Sequence, residues 1–196
     1  MDAMDSGPKA PGASISPVLR LDATGGTRVA AVVGTDSIQI QAMFSELARV
    51  WQRGGIRVAG VVEEKRSSPG RVCADSVLHD LLNGTIYPIS QNLGRGSLSC
   101  NLDSHSLAYA CAAVESSVRS GCDLVVISKF GKQEAAGGGL VDAFRVAIEA
   151  DIPVLTSVSA PWRPRWLAFS GSLSGFVAAE PRDIEAWWKS LKRCSS

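Results

Sequence analysis

The feature that most constrains this chain is a repeated unit: a short, continuous, partly β-branched apolar run, a turn, and then an amphipathic stretch. The first run, Val29-Ala30-Ala31-Val32-Val33, has no polar alternation. Such a pattern belongs to a strand buried on both faces of a parallel sheet. After Gly34-Thr35-Asp36-Ser37, a helix sets Ile40, Phe44, Leu47 and Trp51 on one face and stops at Gly54-Gly55. A second buried strand runs from Ile56 to Val62. The strand pattern returns in Leu124-Val125-Val126-Ile127 and in 152–158, Ile152-Pro153-Val154-Leu155-Thr156-Ser157-Val158. Helices are expected from Asp103 or Ser104 (core face Leu107, Cys111, Val114, Val118), around Leu140–Ala150, and near the C-terminus (Ile184, Trp187, Trp188, Leu191). Strands alternating with helices predict a three-layer α/β domain, a mostly parallel sheet with helices on both faces.

Residues 63–102 break this rhythm. Segments 71–77 and 85–90 read as short strands around the turn dipeptide Asn83-Gly84, which predicts an antiparallel β-hairpin excursion. A loop over 91–100 follows it. Residues 1–27 are rich in Gly, Ala, Ser, Pro and Asp without apolar period, and are expected to form a disordered leader. Residues 28–196 then make a single domain.

Composition narrows the function. Of 196 residues, 20 are Lys or Arg and 19 are Asp or Glu, for a formal net charge of +1. A nucleic-acid binder would carry a basic excess, so none is expected as partner. No apolar run reaches the length of a membrane span, and the N-terminus lacks a secretory signal. The expectation is a cytoplasmic protein without membrane insertion. The five cysteines at 73, 100, 111, 122 and 194 form neither a disulfide framework nor a CxxC pair. The oligomeric state is left open, a homo-oligomer included.

In a sheet of this kind ligands bind beyond the carboxyl ends of the strands. Gly34, Thr35, Asp36 and Ser37 lead from a buried strand into a helix, whose first N–H groups and positive dipole end suit an anion. The loop lacks the second glycine and the lysine of the phosphate-binding pattern Gly-x-x-x-x-Gly-Lys-Ser/Thr. Asp36 would repel a phosphate, and the plainer reading is that Asp36 or Ser37 caps the helix. Ser128-Lys129 follows the third buried strand, where nucleotide hydrolases place an acidic residue for Mg²⁺. Lys129 and Lys132 are candidate anion ligands there and Glu134 a candidate water-orienting catalytic group; a solvated Lys132–Glu134 turn is the alternative. In the 91–100 loop, Arg95, Gly96, Ser97 and Ser99 could form an anion nest, or be Gly/Ser-rich for flexibility alone. Cys73 and Cys100 flank the excursion as a weak candidate for a soft-metal or thiol pair. His79 and His105 have no partner pattern, which disfavours a His-based metal site or a Ser-His-Asp triad. Segment 161–166, Pro-Trp-Arg-Pro-Arg-Trp, could lay a ring and two arginines over the crevice, although packing is the commoner role for such tryptophans.

Several stretches in order carry a resemblance: 29–51, Gly60-Val61-Val62, Arg71-x-Cys73 leading to Asp80-Leu81, Ser90-Gln91-Asn92-Leu93-Gly94, Cys100-Asn101-Leu102-Asp103, Lys129-Phe130-Gly131-Lys132-Gln133-Glu134 and Gly137-Gly138-Gly139-Leu140. From Arg28 to about Trp188 the chain resembles an uncharacterised bacterial family described as NTPase-like and often labelled molybdenum-transport-associated. That family is similar in layout to small thermophilic nucleoside-triphosphatases with a P-loop, a β-hairpin excursion and an acidic strand end followed by Ile-Gly-x-x-Glu. Phe130-Gly131-Lys132-Gln133-Glu134 matches this last feature, with Glu134 in the glutamate's place. Gly34-Thr35-Asp36-Ser37 replaces the lysine-bearing loop, and Ser128-Lys129 replaces the acidic pair, so hydrolysis by the usual route is in doubt.

The resemblance and the residues together lead to a nucleotide- or oxyanion-binding protein of P-loop NTPase-like fold. Nucleotide with Mg²⁺, or molybdate, is the implied ligand. The alternatives are a non-catalytic molybdate-type binder using Arg95, Ser97, Ser99 and Lys129, or a partner of molybdenum enzymes or transporters using Cys73 and Cys100.

Overall fold

The computed structural model describes residues 27–66, 75–91 and 101–193. The chain is α/β. Its strands are β1 (Val29–Val33), β2 (Val58–Arg66), β3 (Asp75–Asp80), β4 (Ile86–Pro88), β5 (Ser90–Gln91), β6 (Asn101–Leu102), β7 (Leu124–Phe130), β8 (Val154–Val158) and β9 (Ser174–Ala178). The helices are α1 (Ser37–Arg53), α2 (Ser104–Arg119), α3 (Lys132–Ala135), α4 (Val141–Glu149), α5 (Arg163–Ser170) and α6 (Pro181–Arg193). Seven strands make one sheet in the order β4-β3-β2-β7-β8-β1-β9, and β5 and β6 pair separately. Strands β2, β7, β8, β1 and β9 are parallel, whereas β3 and β4 extend the β2 edge in antiparallel fashion.

The apolar runs behave as a strand with two covered faces must. In β1, Val29 and Ala31 pack with α2, α4 and α5, while Ala30 and Val32 pack with α1 and α6. The core face of α1 is Ile40, Phe44, Leu47, Ala48 and Trp51, and α6 lays Ile184, Trp187, Trp188 and Leu191 beside it. On the opposite face Phe130, Phe144, Trp166 and Phe169 form an aromatic cluster, with the Phe130 and Trp166 ring centroids 5.1 Å apart. Trp166 is fully buried, so the second ring of the 161–166 segment is core. The Arg163 guanidinium stacks on Phe176, 4.6 Å from its centroid.

Several elements differ from the sequence expectation. The strand expected over 71–77 is β3, Asp75–Asp80, with residues 71–74 outside the described residues. Strand β2 runs on through Glu63, Glu64, Lys65 and Arg66, because antiparallel pairing with β3 holds these charged residues extended. Strand β7 continues past Ile127 to Phe130, so Ser128 and Lys129 stand on the strand rather than in the loop beyond it. The Gly/Ser-rich stretch after α5 contains β9, an edge strand paired with β1 and covered too little to need an apolar run. The turn between β3 and β4 holds Asn83 and Gly84 as expected, and Gly84 has a positive φ of 70°. Glycine is required at Gly60, where φ is +113° and a Cβ would lie 1.9 Å from the Val126 carbonyl oxygen.

Candidate functional site

The carboxyl ends of β1, β2, β7 and β8 lie along one edge of the sheet. From β1 the chain leaves by α1 on one face; from β8 it leaves by α5 on the other. Adjacent strands whose connections part in this way open a crevice at their carboxyl ends. A cavity of about 490 Å³ occupies that place. Gly34, Thr35 and Ser37 line it from the turn after β1 and the start of α1, Glu63 and Lys65 from β2, and Ser128, Lys129 and Phe130 from β7.

The polar wall centres on Glu63. Its side chain is 5% exposed and pairs with two ammonium groups, Lys129 of β7 and Lys65 of its own strand at 3.2 Å. Both lysines are nearly half exposed. Burial alone would raise the Glu63 carboxyl, but the two ammonium groups outweigh it, Lys129 first, and hold it below the ordinary glutamate value. Lys65 also donates to Ser76 Oγ at 2.6 Å.

Beneath this wall Gln41 of α1 ties three strands together. Its Oε1 accepts from the Glu63 N–H at 2.9 Å, and its Nε2 donates to the Ser128 carbonyl at 2.6 Å. Ser157 Oγ of β8 donates to the same carbonyl at 2.8 Å. Gln41 therefore fixes the strand ends from which Glu63 and Lys129 project. A buried polar group in this position is tolerated because its amide is satisfied at both ends.

Of the seven expected residues that are described, six line the crevice: Gly34, Thr35, Ser37, Lys129, Lys132 and Glu134. Asp36 does not. Its Oδ1 accepts from the N–H groups of Ile38 and Gln39 at 2.9 and 3.0 Å, so it is the N-cap of α1. The helix terminus thus carries its own anion. Glu134 lines the crevice with a carboxylate that is already engaged: Oε2 accepts from Gly131 N–H at 2.9 Å and Oε1 from Leu140 N–H at 3.0 Å. It closes the 131–140 loop upon itself. Gly139, at φ +62°, lets the backbone approach, since a Cβ there would sit 2.1 Å from Glu134 Oε1. Arg95, Gly96, Ser97, Ser99, Cys73 and Cys100 lie outside the described residues.

Sequence reading missed Glu63, Lys65, Gln41 and Ser76. The available signal was the charged continuation Glu63-Glu64-Lys65-Arg66 directly after a buried run, in which a strand would set Glu63 and Lys65 on one face.

A Mg²⁺-bound triphosphate does not fit these residues. Among the described residues the first-strand loop has no lysine, the α1 N–H groups of Ile38 and Gln39 are taken by Asp36, and both crevice carboxylates, Glu63 and Glu134, are engaged. Among the described residues no group of three His, Cys, Asp or Glu comes together to hold a metal. Burial pushes the Cys111 thiol up to about 11 and raises that of Cys122, so both stay protonated. No helix of the described residues is long and apolar enough to cross a membrane.

Comparison with known proteins adds two findings. The "Molybdenum import ATP-binding protein ModC 2" of Bradyrhizobium diazoefficiens is 38% identical over 164 residues, 83% of this chain. The match spans only 18% of that protein's length. No solved structure matches the chain. The family described as "Protein of unknown function (DUF2478)" matches residues 29–187, and the chain belongs to it.

Proposed function

We infer that this chain binds a small anionic ligand in the crevice at the carboxyl ends of β1, β2, β7 and β8, without Mg²⁺ and without hydrolysing it. One observation carries the reading: two half-exposed ammonium groups, Lys65 and Lys129, are held at the mouth of the cavity by one buried carboxylate. Three lysines against two carboxylates leave a net positive charge among the described lining residues. The strand-end placement is that of ligand sites in open α/β sheets. The P-loop NTPase-like layout is retained in this reading as a scaffold, its phosphate loop replaced by the capped turn 34–37. Glu134 then acts as the staple of the 131–140 loop rather than as a catalytic group, with Lys132 beside it as a supplementary cation.

The relative's printed name supports a connection with molybdenum import, in which this domain serves as a ligand-sensing or partner module. ATP binding, as named there, concerns a protein of which this match is a small part.

The test is a thermal-shift screen of the purified chain against ATP, ADP, AMP, molybdate, tungstate, sulfate and phosphate, each with and without Mg²⁺. A ligand at about 100 times its dissociation constant stabilises by roughly 2.7 kcal/mol, a shift of several degrees in a domain of this size. The expected result is a shift independent of Mg²⁺ and lost in Lys129→Ala. A shift that requires Mg²⁺ would overturn the Mg²⁺-free reading, and no shift with any anion would overturn the site.

A further inference from the structure

The cavity has an apolar share of its lining that anion binding alone does not use. Beside the charged groups it is lined by the buried side chains of Leu78, the cross-strand neighbour of Glu63, and of Leu107, Phe130 and Leu140, with Trp162 half-buried. Phe130 belongs to the aromatic cluster with Phe144, Trp166 and Phe169, which holds its ring in place at the cavity.

We propose that the occupant is an organic acid with an apolar, ring-sized body and a single mono- or dianionic head, the head on Lys65 and Lys129 and the body against Leu107, Phe130 and Trp162. This rests on the anion-binding reading above and narrows it. Three observations favour this class over a bare oxyanion or a triphosphate.

Size is the first. At about 30 Å³ per water-sized group, a tetrahedral oxyanion fills roughly 60–90 Å³, against a cavity of about 490 Å³. The cavity instead falls in the range of sites for small organic molecules.

Charge is the second. Glu63 already neutralises one of the two ammonium groups, and the α1 terminus is occupied by Asp36, so little positive charge is left for a ligand. A triphosphate brings far more negative charge than these residues match.

The third is lining chemistry. A site for a bare oxyanion surrounds it with donors on every side. Here the donors, Lys65, Lys129 and Ser76 among them, share the lining with the buried carbon of Leu78, Leu107, Phe130 and Leu140. Such a mixed lining selects an amphipathic molecule, since water held against the apolar side chains is released when the body enters.

Isothermal titration of the full chain with naphthyl phosphate, inorganic phosphate, molybdate and Mg²⁺–ATP tests this. Naphthyl phosphate is expected to bind at least about tenfold more tightly than phosphate or molybdate, and to lose that advantage both in Lys129→Ala and in Leu107→Gln. Circular dichroism confirms that the variants are folded; if Leu107→Gln is not, Trp162→Ala takes its place. Bare phosphate or molybdate binding as tightly as naphthyl phosphate would overturn the amphipathic ligand and leave the anion site standing. Tightest binding by Mg²⁺–ATP would overturn the single-headed class. Naphthyl phosphate binding unchanged in Lys129→Ala would overturn this placement, and no binding by any probe would overturn both readings.

Discussion

Glu63 of β2 and Lys129 of the adjacent β7 form an ion pair at the crevice, the carboxylate 5% exposed and the ammonium 46% exposed. One partner is a fixed, buried counter-charge. The other is presented to whatever enters. Pairs of this kind have a pH signature.

The folded-state value of Glu63 lies below its ordinary value of 4.5. A depressed carboxylate contributes stability that is fully present above the unfolded value and is lost as pH falls through the folded one. Glu63→Gln is therefore expected to destabilise the chain at neutral pH by about 1–3 kcal/mol, because its two lysines remain partly solvated. The gap to wild type should close as pH drops below 4.5. Urea unfolding of both proteins at neutral and acid pH checks this; a gap that widens on acidification would contradict the pairing.

Glu134→Ala should cost stability. Losing the carboxylate leaves the buried N–H groups of Gly131 and Leu140 without their acceptor, a cost of about 2–4 kcal/mol for the two. Gly139→Ala drives a Cβ into the same carboxylate and is expected to destabilise by a similar amount. Denaturant midpoints for the two single variants and the double variant give the test. The costs should be less than additive in the double variant, since both act on one contact.

How far sequence reading reached is clear from individual elements. Strand β1 and helix α1 were legible because one face or both must be apolar, and Asp36 was legible as a cap because its chemistry is local. Lys129 was legible as a crevice residue because the apolar run before it marks a strand end. Glu63 and Lys65 were not, since Glu63-Glu64-Lys65-Arg66 has little strand preference of its own and is held extended by β3, whose partner residues lie 9 to 15 positions on. Strand β9 escaped for the same reason: Ser174 and Gly175 are extended only because β1 lies beside them. The engagement of Glu134 by backbone N–H groups depends on how the 131–140 loop closes, which residue spacing does not reveal.

Asp36→Ala removes the α1 cap and should destabilise by about 1 kcal/mol. It also frees the N–H groups of Ile38 and Gln39. Anion affinity should stay the same or rise, since a negative charge near the crevice is lost. A marked fall in affinity, read by titration with phosphate, would mean that Asp36 takes part in binding.

Gly60→Ala is expected to unfold the sheet locally or prevent folding. The added Cβ lands on the Val126 carbonyl at a φ that side chains avoid, for a penalty of about 3 kcal/mol or more. Expression level and thermal midpoint read the outcome. A midpoint within a degree or two of wild type would show that β2 and β7 can part there.

The most direct test of the anion crevice sets two substitutions against each other in one titration. Lys129→Ala removes the presented charge, and Glu63→Gln removes the charge that competes for it. With naphthyl phosphate as probe, Lys129→Ala is predicted to weaken binding by about tenfold and Glu63→Gln to strengthen it by a similar factor, as expected for charges in contact at a partly solvated site. Weaker binding in Glu63→Gln, or equal affinity in all three proteins, would contradict a crevice built to receive an anion.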